Sequence, residues 1–236
     1  ARNLRLRPFF YRWSTDWDLN PGKRICNPRR NRSDIRAATV PARSCISTRL
    51  TKHTYHELRV PANMVHVKGP GWMPSEAYFQ CRYAVLRQPL GFERGAELLA
   101  DDSEAIHAYV KDEHENIVCV GRAHLLPKES DGSQSDFPGG SGPKTPGFSP
   151  LMGHENRPAI QIRQMGTIRT SRRMGLAAKV LEALEKESKM AFSAKIGLLQ
   201  AREAAVPFYQ AAGWTIIDQP YSIPNVGLHR SMMKAL

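Results

Sequence analysis

One stretch of the chain gathers residue types that could hold a phosphate. Met165-Gly166-Thr167-Ile168-Arg169-Thr170-Ser171-Arg172-Arg173-Met174-Gly175-Leu176-Ala177 leads from an alternating apolar segment into an amphipathic one. Small residues at Gly175 and Ala177 let backbone N–H groups point outward where the second segment begins a helix. Those unpaired donors and the positive end of the helix dipole suit a pyrophosphate. Arg172 and Arg173 add charge-assisted donors beside it. A plain strand-to-helix turn with solvated arginines has the same local pattern, so this stretch alone leaves both readings open. Gly139-Gly140-Ser141-Gly142-Pro143 is a second glycine cluster. A phosphate loop needs a strand before it and a helix after it, and neither flank qualifies. His53 and His56 lack a nearby third metal ligand. Cys26, Cys45, Cys81 and Cys119 stand far apart with no CxxC pair, which excludes a zinc ribbon and argues against a disulfide scaffold. No Ser-His-Asp or Cys-His arrangement follows from order alone.

The elements that must position these groups follow from hydrophobic period and turn residues. A short strand at residues 65–68 meets a Gly-Pro-Gly turn, and Ser75 starts a helix through Tyr78, Phe79, Tyr83 and Leu86 that stops before Pro89 and Gly91. Residues 105–110 and 117–125 predict an antiparallel hairpin. Residues 128–158 are rich in Gly, Pro and Ser and read as a flexible insertion. Residues 159–168 alternate as a strand. A helix over 175–192 then carries Leu176, Val180, Leu181, Leu184 and Ala191 on one face. A short strand at 196–199, a helix at 201–212 closed by Gly213, a strand at 214–217 and a last strand within 228–233 complete the order. The fold class is therefore α/β, a mixed sheet flanked by helices.

Hydrophobic residues make up 41% of the 236, and charged residues 24%, as in a globular domain. No apolar run is long enough for a transmembrane helix, and no secretory h-region opens the chain. The net charge of +12 is unevenly placed: residues 1–63 carry 14 Lys and Arg against 4 Asp and Glu, a balance of +10. That arm reads as disordered. It is a transit segment, a tether for nucleic acid or another anionic surface, or an over-extended reading frame, since the first Met is Met64. The globular part, residues 64–236, is nearly neutral, so nucleic acid enters only through the arm.

The stretch around residues 165–177 resembles motif A of the GNAT superfamily of acetyl-CoA-dependent N-acetyltransferases, whose Arg/Gln-x-x-Gly-x-Gly/Ala pattern is filled by Arg172, Gly175 and Ala177. Leu198-Leu199-Gln200-Ala201-Arg202 through Val206-Pro207-Phe208-Tyr209-Gln210-Ala211-Ala212-Gly213-Trp214 is similar to that family's fifth strand and following helix. Tyr83 to Gly91 resembles the first-helix region of a small single-domain branch, and the resemblance spans about residues 75–234.

The resemblance implies a mixed, mostly antiparallel sheet and direct transfer of acetyl from acetyl-CoA to an amine of a small molecule or protein. The strands at 159–168 and 196–199 would splay to admit the pantetheine arm. Main-chain groups around Met165, Gly166 and Thr167 would bind it, and Arg172, Arg173, Met174, Gly175, Leu176 and Ala177 would hold the pyrophosphate. Gln200, Arg202 and Phe208 complete the expected cofactor contacts, with Gln200 replacing an Asn common in the branch. Tyr209 would protonate the departing thiolate. No carboxylate stands on the 159–168 strand where some members keep a base. His124, on the same strand face as Arg122, is the substitute. No metal is implied and no membrane partner. A homodimer is among the assemblies the reading allows, and the compartment is cytoplasmic, or organellar if the arm is a transit segment. The competing reading is a catalytically silent acyl-CoA-binding or interaction module of the same fold.

Overall fold

The computed structural model describes residues 65–236. The basic arm, with Cys26, Cys45, His53 and His56, lies outside the described residues. The described part opens with β1 (Val65–Lys68) and, after the Gly-Pro-Gly turn, α1 (Glu76–Leu86). The Ser75 hydroxyl caps α1 by accepting from the Tyr78 N–H at 3.4 Å. β2 (Ile106–Lys111) and β3 (Ile117–Leu125) make the expected hairpin. Its turn is held by Asp112, whose carboxylate accepts from the N–H groups of His114 and Asn116. β4 (Ala159–Thr167), α2 (Leu176–Phe192), β5 (Ile196–Arg202) and α3 (Val206–Ala211) follow, then β6 (Thr215–Ile216), β7 (Tyr221–Ile223) and β8 (Gly227–Ala235).

The strands form one sheet in the order β1-β2-β3-β4-β5-β8-β6, with β7 also on β8. Only β4 and β5 pair in parallel, as a strand–helix–strand crossover through α2 requires. This is the mixed, mostly antiparallel α/β architecture expected. One sheet face is covered by α2, whose Leu176, Val180, Leu181 and Leu184 are buried among Ile106, Ala108, Ala123, Ile160 and Leu199. Each such side chain contributes roughly 1.5–3 kcal/mol of burial. The stripe continues to Ser188, one turn beyond Leu184, whereas Ala191, expected on that face, is exposed.

The opposite face is covered by two pieces. α1 packs Tyr78 and Cys81 on Tyr109 and Val120. Residues 128–158, expected as a flexible insertion, fold back on the rest of this face: Phe148 is buried with Leu126, Ala159 and Leu198. Arg157 ties the ends of that segment together, donating to the carbonyls of Leu126, Pro127 and Ser130.

Two boundaries differ from expectation for one reason. β5 runs to Arg202 rather than Leu199, and the helix after it starts at Val206 rather than Ala201. Gln200, Ala201 and Arg202 pair with Ser231, Arg230 and His229 of β8, and that ladder overrides the helical preference of Ala-Arg-Glu-Ala. β7, too short to show a period, is an addition to the expected order.

Candidate active site

β4 and β5 separate part-way along their length. Their pairing ends at Ile162–Leu199, while β4 continues to Thr167 and β5 to Arg202. A β-bulge lies at the point of separation: Gly121 of β3 stands opposite both Gln164 and Met165. The extra residue bends β4 and re-aims the side chains that follow. Gln164 takes φ +51°, a conformation that costs a non-glycine residue on the order of 1 kcal/mol. Its side-chain carbonyl accepts from the buried Arg82 of α1, which also grips both carboxylate oxygens of Asp102 at 2.9–3.2 Å. Gly121 has no room for a side chain, because a Cβ there would lie 2.9–3.0 Å from Val180, Leu184 and Met165.

Beyond the bulge the ladder sets main-chain direction. The Ile168 N–H donates to the Val118 carbonyl at 2.9 Å, so the next pair, Thr167 with Cys119, turns its main-chain groups away from β3 and into the opening. The Thr167 carbonyl meets Arg172 Nε there at 3.2 Å. α2 begins at the same end of the opening. Its cap, Gly175, has φ +73°, no side-chain cap completes the first turn, and a Cβ on Gly175 would meet nothing within 4 Å. The start of a 17-residue helix thus presents unpaired N–H groups to open space, flanked by exposed Arg169 and Arg172.

On the α2 side of the opening, the Tyr209 hydroxyl reaches from α3 toward β4 and donates to Met165 Sδ at 3.7 Å. Phe208 and Trp214 pack edge-on around its ring. Burial pushes its phenol well above the ordinary value, so it stays protonated. On the other side lies a cavity of about 100 Å³, whose wall includes Ile162, Arg163, Gln164, Gln200, Asp136 and His229. His229, on β8, is 5% exposed. Its Nδ1 lies 2.8 Å from the Gly227 carbonyl, which can only accept, so Nδ1 carries the proton and Nε2 keeps a lone pair. Burial first, and Arg202 after it, lower its pKa, against the opposing effect of the Gly227 bond.

No protein-family model matches the sequence. Among solved structures, Escherichia coli ElaA is similar at 13% identity and TM-score 0.52, over 72% of this chain and 98% of that one. An acyl-CoA N-acyltransferase from Pseudomonas aeruginosa is similar at 15% identity and TM-score 0.49, over 72% and 98%. Arabidopsis thaliana NAA60 in complex with acetyl-CoA is similar at 11% and 0.49, over 73% and 99%. The fold is that of Escherichia coli ElaA.

Within this fold the expected residues divide into those that meet the opening and those that do not. Met165, Thr167, Arg172, Gly175 and Tyr209 border it, and Gln200 lines the cavity beneath it. Gln200 is already engaged: its side chain donates to Thr145 Oγ1 at 2.8 Å and to the Pro146 carbonyl at 2.9 Å, and accepts from Gln161 at 3.0 Å. Gly166 instead backs onto α1, where a Cβ would collide with Val85. Leu176 is buried, so only its main chain faces outward, while Met174 and Arg173 are exposed and Ala177 is half-buried. Arg202 stands across the ladder from His229.

His124 does not border the cavity. It pairs with Gln161, where β4 is still zipped to β5, and is 6% exposed with Nδ1 unpartnered among the described residues. Burial, then Arg122 and Arg163, hold its imidazole well below the ordinary value. His229 is the residue that sequence reasoning missed. No local period marks it: its place comes from β8 inserting between β5 and β6, which sets His229 opposite Arg202.

Proposed function

We propose that this chain is an acetyl-CoA-dependent N-acetyltransferase acting on a primary amine. The observation that carries the reading is the opening between β4 and β5, bordered by an uncapped helix start at one end and by a phenol hydroxyl aimed at sulfur across it. The residues suit the co-substrate. Main-chain N–H groups at Gly175–Ala177 and the Arg172 guanidinium would take the pyrophosphate, and main-chain groups of Thr167 would bond the pantetheine amides. Acetyl-CoA supplies an acyl carbon activated by its thioester.

His229 Nε2 would accept the proton that the amine loses on forming the new C–N bond. Tyr209, held protonated by burial, would give its proton to the sulfur as the C–S bond breaks. Solvent exchange then returns a proton to Tyr209 and removes one from His229, so the products are the amide and free thiol. The Tyr209 hydroxyl would exchange the Met165 sulfur for the departing one.

Thermal unfolding of the full chain with saturating acetyl-CoA tests the reading. Ligand at 100 times its Kd adds about 2.7 kcal/mol, a rise on the order of 5–10 °C for a domain of this size. No rise in a cooperative transition removes the proposal. A rise without thiol release on any amine leaves the silent acyl-CoA-binding module instead.

A further inference from the structure

The cavity on the His229 side of the opening has an imbalance of charge. Elsewhere under α1, the buried guanidiniums are matched: Arg82 pairs with Asp102 at 2.9 Å, and Arg122 with Asp101 at 2.8 Å and Asp102 at 3.7 Å. On the cavity wall Arg87 and Arg163 share one carboxylate, and Arg202 stands next to the wall, across the ladder from His229. Asp136 lies 3.4 Å from Arg87 and 3.9 Å from Arg163. Arg202 is half-buried beside His229, with neither a hydrogen-bond nor an ion-pair partner among the described residues. Glu203, the next residue, is spent on Arg230 at 3.1 Å. A half-buried guanidinium without a counter-ion is costly unless an anion completes it.

Two further groups on the cavity wall are unsatisfied. Gln164, 6% exposed, has its carbonyl on Arg82 and its Nε2 donor without a partner. Asp136 Oδ1, also buried, accepts no hydrogen bond. The cavity therefore offers donors for an anion, one acceptor for an N–H, and an imidazole lone pair. We propose that the acceptor is an amine that also carries a carboxylate, an α-amino acid or close analogue, with its carboxylate on Arg202 and Gln164 Nε2 and its amine between Asp136 Oδ1 and His229 Nε2. A wider groove of about 520 Å³ adjoins this cavity through Phe137 and Pro143, with Phe92 and Pro138 on its wall. It gives the side chain of the acceptor an apolar place, so leucine, methionine and phenylalanine are the probes.

The inference rests on the acetyltransferase reading, and one experiment separates their failures. Thiol release by the full chain with saturating acetyl-CoA is compared for each amino acid and its methyl ester, in wild type and in Arg202→Met and Gln164→Leu. The acids should exceed their esters in kcat/KM by on the order of 100-fold. Arg202→Met should raise KM for the acids about tenfold or more and narrow the acid-to-ester ratio of KM by the same factor, measured at a pH where His229 is neutral in both proteins. Gln164→Leu should move the acids in the same direction. Esters equal to acids, or an Arg202→Met acid KM like wild type, overturns the carboxylate site. Loss of the acetyl-CoA shift in Arg202→Met overturns it as well, by assigning the guanidinium to the co-substrate. Absence of that shift in wild type removes the acetyltransferase reading itself.

Discussion

Tyr209 and His229 stand on opposite sides of the opening, and their environments fit opposite tasks. Burial holds the Tyr209 proton on, making it a donor across the working range of pH. Tyr209→Phe is therefore expected to lower kcat by roughly 100-fold and leave acetyl-CoA affinity within about twofold; equal turnover in the two proteins removes the phenol from the mechanism. His229 is tuned the other way. Its neighbours are Arg202 across the ladder, Tyr221 stacked at 6.3 Å, and Arg87, Arg163 and Asp136 on the cavity wall. Its pKa lies below that of an ordinary histidine, so the neutral, proton-accepting form persists as pH falls through about 6.5. Activity should decline only below that point, as the imidazole protonates, and His229→Gln should abolish this acid limb. A limb unchanged in the variant assigns it to another group. The placement of Tyr209 beside the opening was legible in the sequence because it follows its helix motif at fixed spacing. His229 was not, because a histidine in a terminal strand acquires a role only from the strand it lies beside.

At the scale of elements, the helix stripe, the hairpin and the succession of strands and helices along the chain, β7 apart, were legible because each is written in a local period. The bulge was not: its position depends on how many residues of β4 face how many of β3, and Gln164 in isolation carries no mark of a left-handed conformation. The packing of residues 128–158 was equally hidden, since Phe148 and Arg157 make their contacts across a Gly/Pro-rich segment with no period of its own. Gly175 joins element to site. At φ +73° a β-branched residue is disfavoured by about 1–2 kcal/mol, and its side chain would stand in the open space before the helix start. Gly175→Val should lower Tm by a few degrees and eliminate the acetyl-CoA shift. A shift retained in the folded variant shows that the co-substrate does not approach this turn.

For the whole molecule, charge and chemistry fall in different stretches of the chain. Residues 1–63 hold +10 of the net +12, whereas the opening, the helix start and the cavity all lie within residues 65–236. Removal of residues 1–63 should leave the acetyl-CoA thermal shift intact and sharply weaken retention on heparin, read as the salt needed for elution. Retention unchanged by the truncation would locate the polyanion contact in the globular part. Among the described residues no helix is long and apolar enough to cross a membrane. The sheet itself has a seam. β1 to β4 and α2 are one continuous stretch of chain, β5 to β8 another, and the only main-chain ladder between them is the four-rung parallel pairing of β4 and β5. The joint in space thus coincides with a joint along the sequence, at residues 193–195. A chain cut there would yield two fragments, each with its own strands intact, and a molecule lodged between β4 and β5 would be the splint across the break.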